Sequence, residues 1–183
     1  EKILLSLYIK YSFVSKIVNN LFIKFKKKNS LVSFDEFFYP QDKWINFNDC
    51  YNDGLFQVQF LVKKKDLKLI INKISIFFRD NSIKSTFIII KKFNESGNYL
   101  NFCGKGFSLS FDFEKNKHYK KIEYFYNYLF NEFNLKINFS KNIIANKDFI
   151  SNNRKYKHFK KDLKFLDKKK LFLSEFSKRL DLK

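Results

Sequence analysis

Gln57 and Gln59 lie within the run Gly54-Leu55-Phe56-Gln57-Val58-Gln59-Phe60-Leu61-Val62. Side chains alternate faces along an extended strand. Phe56, Val58, Phe60 and Val62 then make one apolar face, and Leu55, Gln57, Gln59 and Leu61 make the other. A glutamine amide both donates and accepts, so two in register can grip hydroxyls or the edge of a cofactor ring. Two readings stand: the partly wet outer face of an ordinary strand, or the floor of a ligand site. Lys91 is the next residue that could do chemistry. Alternation over Thr86–Phe93 puts it on the same face as Phe87, Ile89 and Phe93. An ammonium on an apolar face needs a partner or a ligand, unless it reaches water along its stem at the strand end.

Metal chemistry is not expected. Cys50 and Cys103 are isolated, no C-x-x-C exists, and His118 and His158 have no metal-ligand spacing with them. Two cysteines permit one disulfide, but buried free thiols in a reducing, cytoplasmic compartment are the reading taken here. Gly104-Lys105-Gly106 lacks the third glycine of a dinucleotide fingerprint and precedes a strand rather than joining strand to helix.

The net charge of +19 invites a nucleic-acid partner. The basic residues are almost all lysine, with only Arg79, Arg154 and Arg179 as arginines. Arginine is the preferred residue for bidentate phosphate and guanine contacts, so specific nucleic-acid binding is discounted, and a basic nucleic-acid-binding module remains an alternative. The positive field still favours anionic surfaces and phosphate-bearing ligands.

These residues need elements to position them. Leu4, Leu7, Tyr11, Val14, Val18, Leu21 and Phe25 recur at three- and four-residue steps, which predicts one amphipathic helix over Glu1–Lys28. It either packs on its own domain or rests on a membrane surface. Leu31–Phe34 is a short strand candidate, Pro40 keeps Tyr39 extended, and Trp44–Gly54 reads as a loop. Lys63–Asp80 and Glu114–Glu132 are expected to be helical; Thr86–Phe93, Phe107–Phe113 and Lys136–Phe139 are expected to be strands. In Phe107–Phe113, Phe107, Leu109, Phe111 and Phe113 face the core, and Ser108, Ser110 and Asp112 face away. Ala145–Lys183 reads as helices separated near Asp167–Lys170, with Ser174 capping a last turn through Phe176 and Leu180. The pattern predicts an α+β fold, an antiparallel sheet with helices packed on one face. It divides into a basic helix (residues 1–30), a sheet domain (31–144) and a helical tail (145–183).

The sequence begins at Glu1 and contains no Met. That reads as a processed chain or a fragment, and a fragment is expected, because Lys10 and Lys16 interrupt any secretory pattern in Glu1–Phe25. Nothing approaches the ~20 apolar residues of a membrane span.

Taken in order, several segments resemble a family. Phe38-Tyr39-Pro40, Trp44, Tyr51, Gly54 and Gln57-Val58-Gln59-Phe60 are similar to the Tyr-Pro-Leu-Asp, Trp-Asn, Tyr-Gly, Gly and Gln-Tyr-Gln-Phe segments of decaprenylphosphoryl-β-D-ribose oxidases. Ile90-Lys91-Lys92-Phe93 is similar to that family's Phe-Lys-x-Phe-Gly, and Gly106–Phe113 to its Gly-Trp-x-x-x-x-Asp-Phe. Lys141 falls at the lysine of Leu-Tyr-x-Ala-Lys-Asp, with Asn138 in place of the tyrosine. Phe172–Leu182 resembles the closing Phe-Ala-Ser-Asp-x-x-Arg-Arg-Leu-x-Leu.

The resemblance implies the substrate domain and tail of an FAD-dependent enzyme of the vanillyl-alcohol-oxidase superfamily, with the FAD-binding half outside this chain. It implies oxidation of a secondary alcohol of a polyprenyl-phosphate-linked ribose by hydride transfer to flavin. In that case Lys141 is the catalytic lysine and touches the flavin edge with Gln59. Gln57, Gln59, Lys91, Tyr51, Ser108 and Ser110 line the substrate pocket, Ser110 replacing a cysteine and Ser108 an asparagine. A ketoreductase as functional partner and a peripheral membrane contact belong to the same expectation. An aldonolactone oxidase of the same superfamily is the alternative.

Overall fold

The computed structural model describes residues 2–25, 31–35, 51, 54–94, 101–145, 154–171 and 173–182. The chain divides into two units, Glu1–Leu55 and Phe56–Lys183. Phe37, Phe38, Tyr39, Pro40, Trp44 and Cys50, expected in loops of the first unit, lie outside the described residues.

In the first unit the helix expected to run unbroken over Glu1–Lys28 is two helices, α1 (Lys2–Lys10) and α2 (Ser12–Phe25). Across the break at Tyr11 the Tyr8 hydroxyl donates to Asn19 Oδ1 at 3.2 Å. A continuous helix rises about 1.5 Å per residue, which would hold these side chains beyond each other's reach, so the chain must fold back. Just past the break, in the first turn of α2, the Ser15 hydroxyl donates to the Ser12 carbonyl at 2.9 Å. Of the predicted stripe, Val14 and Val18 are half-buried, and Leu7, Leu21 and Phe25 are exposed. Leu31–Phe34 is not a strand. Residues 31–33 are irregular, Phe34 and Asp35 are helical, and no strand of the sheet pairs with them.

The second unit is built from β1 (Leu55–Val62), α3 (Leu67–Asp80), β2 (Phe87–Phe93), β3 (Gly106–Glu114), α4 (Tyr119–Phe133), β4 (Lys136–Ile137), α5 (Arg154–Leu166) and α6 (Glu175–Arg179). The four-stranded sheet has the order β2-β3-β1-β4. β2 runs antiparallel to β3 with Ile89 opposite Ser110, and β1 antiparallel to β4 with Phe60 opposite Ile137. Between the central strands, Gln57 bonds Asp112 and Gln59 bonds Ser108. Ascending numbers on β1 meet descending numbers on β3, so this pair is antiparallel as well. Each of α3 and α4 therefore carries the chain past one intervening strand, which is the βαββαβ, ferredoxin-like arrangement of two split βαβ units.

Both helices pack on one face. Phe56, Val58, Phe60 and Val62 of β1, with Leu109, Phe111 and Phe113 of β3, bury against Ile70 and Ile74 of α3 and Ile122, Tyr126, Leu129 and Phe130 of α4. Each such large apolar side chain contributes about 1.5–3 kcal/mol on burial. Phe60 anchors the layer, its ring centroid 5.7 Å from those of Tyr126 and Phe130 and 6.1 Å from that of Phe111.

Element starts differ from expectation for local reasons. α3 begins at Leu67 because Lys63–Asp66 closes a turn, the Asp66 N–H donating to the Lys63 carbonyl at 3.0 Å. α4 begins at Tyr119 because β3 runs on through Glu114, and Asn116 Oδ1 then accepts the His118 N–H at 2.9 Å, an Asx turn ahead of the helix. β4 stops at Ile137, where Asn138 turns the chain. The tail breaks after Leu166 and resumes at Glu175, with Ser174 Oγ accepting the Ser177 N–H at 3.1 Å as the cap. Phe176 is exposed rather than packed, whereas Leu180 and Leu182 bury against Tyr156 with Phe139, Phe159 and Leu163 around them. Cys103 is a half-buried free thiol. No helix among the described residues is long and apolar enough to cross a membrane.

Gly106 sets the spacing of the two central strands. Its φ is +151°, and a Cβ there would fall on the Val62 carbonyl oxygen. Gly106→Ala is expected to destabilise the fold by about 2–3 kcal/mol, seen as a lower urea midpoint with an unchanged slope. An unchanged midpoint would mean that β1 and β3 do not approach this closely.

Candidate functional site: the polar face of the sheet

The face turned away from α3 and α4 carries the polar residues. The β2–β3 register sets Phe87, Ile89 and Lys91 opposite Asp112, Ser110 and Ser108. Those three β2 residues share this face with Gln57 and Gln59. The face is not wet at its centre: Ser108, Ser110 and Asp112 are 1, 4 and 3 % exposed. Polar groups so deeply withdrawn need partners.

Most have them. The Gln57 amide donates to Asp112 Oδ1, and Gln59 Nε2 donates to Ser108 Oγ at 3.0 Å. Asn138 Nδ2 donates to Gln59 Oε1 at 2.6 Å, and Asn138 Oδ1 accepts from the Ser140 hydroxyl at 2.7 Å. Ser110 is the exception: its buried Oγ has no hydrogen-bond partner among the described residues. It sits between Ser108 and Asp112 on β3.

The turn after β4 is fastened to this face by Asn142, whose side chain is fully buried. Asn142 Oδ1 accepts the Gln59 backbone N–H at 2.9 Å, and Asn142 Nδ2 donates to the Gln59 carbonyl at 2.6 Å. One side-chain amide thus satisfies both backbone groups of a β1 residue where β4 has already ended. From the tail, Arg179 donates to the carbonyls of Asn142 and Phe139, each at 2.7 Å, and to that of Ala145. Lys141 rides on the turn so fixed.

Lys141 is exposed, and its charge acts on Asp112. Burial pushes the Asp112 carboxyl above the ordinary carboxylate range; the Gln57 bond, and then the Lys141 ammonium, pull it back down. The structure therefore brings Gln57, Gln59, Ser108 and Ser110 to one patch, with Lys141 on the turn beside it, where its charge is felt at Asp112. Lys91 lies on the same face, opposite Ser108, but is exposed at the edge strand, so its ammonium is solvated and not sealed in. Tyr51 belongs to the unit of residues 1–55; it is buried, and its carbonyl accepts the Gly54 N–H at 3.4 Å. Asp112, Asn142 and Arg179 were not singled out from the sequence. Asp112 carried a signal, as the acidic member of the outward set on Phe107–Phe113. Arg179 fell on an arginine of the closing motif in Phe172–Leu182, but its carbonyl partners, like those of Asn142, lie far off in sequence, 37 and 83 residues away.

Chemically the patch offers two carboxamides, two hydroxyls, a carboxyl and a nearby ammonium. That donor and acceptor set suits a polyhydroxylated ligand with an anionic or reacting oxygen. Among the described residues no His, Cys, Asp and Glu groups gather as a metal site. No protein-family model matches the chain, and no curated protein matches it.

A raised carboxyl has a signed consequence for stability. The folded protein holds the Asp112 proton to higher pH than the unfolded chain, so its contribution is fully present below the ordinary carboxylate pKa. It is lost as pH rises through the raised folded value. Asp112→Asn keeps an acceptor for Gln57 and removes the buried charge. The variant is expected to melt above the wild type at neutral pH, with the gap closing below about pH 4. A gap independent of pH would contradict a strained buried carboxylate.

Proposed function

We propose that this chain supplies the substrate-binding face of an FAD-dependent oxidoreductase acting on a secondary alcohol of a sugar, of the polyprenyl-phosphate ribose type. The observation that carries the reading is the buried, unpartnered Ser110 hydroxyl within a sealed array of carboxamides and hydroxyls, beside a lysine-bearing turn. A cytoplasmic, membrane-associated setting is part of the same proposal.

The fit to a flavin is partial. Gly54 and Gly104 precede strands and Gly106 opens β3, and the first turns of α3, α4 and α6 follow Asp66, His118 and Ser174. No described helix opens on a glycine-rich phosphate cradle, so the phosphates would be held elsewhere, and Gln59 and Lys141 would meet only the ring edge. A bound flavin supplies the acceptor for the hydride that leaves the alcohol carbon. The residues of this chain would orient the sugar through the half-buried Gln57 and Gln59 amides, with the Ser108 and Ser110 hydroxyls buried beneath them. In this reading Lys141, as the neutral amine, would take the alcohol proton as the C–O bond becomes a carbonyl.

The test is an NMR titration with a water-soluble farnesylphosphoryl-β-D-ribose. The Gln57 and Gln59 side-chain amide resonances are expected to shift saturably, and Gln59→Ala to weaken binding about tenfold, or ~1.4 kcal/mol. Shifts that avoid these amides, or an affinity unchanged by Gln59→Ala, would overturn the reading. FAD added to this chain alone is expected to wash away; stoichiometric retention would contradict the division of labour.

A further inference from the structure

The end of α5 and the segment after it carry a second, separate surface. Phe165, Leu166, Leu171 and Leu173 are 72, 79, 74 and 53 % exposed. Lys161, Lys164, Lys168, Lys169 and Lys170 are exposed around them, against the exposed carboxylates of Asp162 and of Glu175, the latter paired with Lys178. The other nearby acid, Asp167, is buried, and its Oδ1 accepts the Leu171 N–H at 2.8 Å, so the backbone that presents Leu171 is held rather than frayed. Lys168 Nζ stands 5.4 Å from the centre of the Phe165 ring. Beside this tip an open apolar groove of about 560 Å³ is lined by residues from Phe159 to Leu166.

Large apolar side chains ringed by lysine are poorly placed in water, and both halves of the pattern are satisfied at one kind of surface. The acyl boundary of a bilayer takes the Phe and Leu side chains, and anionic headgroups take the ammonium charges. Lysine is a compact point charge suited to a diffuse negative surface, whereas bidentate phosphate reading in nucleic acid favours arginine; no arginine lies in residues 161–173. We propose that this tip docks the protein on an anionic lipid bilayer. The proposal gives the membrane-associated setting of the flavoenzyme reading a surface and a lipid class, but its observations are independent of the flavin and the sugar.

The test is co-sedimentation of the full chain with phosphatidylcholine vesicles, with and without roughly one third phosphatidylserine. Binding is expected on the anionic vesicles, about tenfold weaker on the neutral ones, and released by high salt. Phe165→Ser with Leu171→Ser, and separately Lys168→Ala with Lys169→Ala and Lys170→Ala, are each expected to weaken it about tenfold. These positions are exposed, so melting should be unchanged. Phe13→Ser with Ile17→Ser on α2 should leave binding intact. No vesicle binding, binding that survives both tip variants, or binding lost only with the α2 variant would overturn the proposal. So would a tip that ignores vesicles yet captures a single-stranded oligonucleotide. Because the ribose titration is done in free solution, failure here and failure there are distinguishable.

Discussion

The Asn142 carboxamide clasped onto both backbone groups of Gln59 is the interaction on which the candidate site depends. β4 pairs with β1 for only two residues, Lys136 and Ile137. Past that point the Asn138 N–H still donates to the Gln59 carbonyl at 3.0 Å, but the Gln59 N–H is left to Asn142, and an unpaired backbone group withdrawn from water costs about 1–3 kcal/mol. Asn142 takes up that N–H and adds a second donor to the carbonyl. In doing so it sets where the turn bearing Lys141 must sit. Arg179 secures the far side of that turn through three carbonyls, so the tail is a structural member of the site rather than an appendage.

The same clasp explains how a strand face that reads as partly wet becomes a sealed one. Gln57 and Gln59 do not simply point at solvent; they lie across β3 and bond Asp112 and Ser108. Asn138 then closes over Gln59. Once water is excluded, polar groups polarise one another and unmet ones become costly. The Ser110 hydroxyl and the Asp112 carboxyl are where that cost remains, one unpartnered and one with its proton held above the usual range. Such residual polarity beside a mobile-chained lysine is what a ligand could relieve.

Much of the scaffold was legible because it rests on period-two patterning. Alternation in Gly54–Val62 and Phe107–Phe113 placed Phe56, Phe60, Leu109 and Phe113 in the core, and Gln57, Gln59, Ser108 and Ser110 on the opposite face. Lys91 fell on that face for the same reason. Alternation says which way a side chain points and nothing about what covers it, so the sealing of Ser108, Ser110 and Asp112 was not readable. The break at Tyr11 was hidden because Leu7, Tyr11 and Val14 keep helical spacing straight through it; only the Tyr8–Asn19 bond reveals the fold-back. Helix starts at Leu67 and Tyr119 were set by turn bonds at Lys63 and Asn116. Asn142 and Arg179 act through backbone groups, which have no residue-type signature. Asn138, a departure from the tyrosine of the resembling family, is here a polar bridge from Gln59 to Ser140.

The central claim is that the Lys141 ammonium and the sheet's polar face meet. The most direct measurement is the titration of the Asp112 carboxyl, followed by its side-chain carbon resonance, in the wild type and in Lys141→Met. Lys141 lowers the Asp112 pKa in the folded protein, so its removal should move that titration to higher pH. A titration that does not move would show that the lysine turns away from Asp112 and that the polar face and the turn after β4 do not form one site.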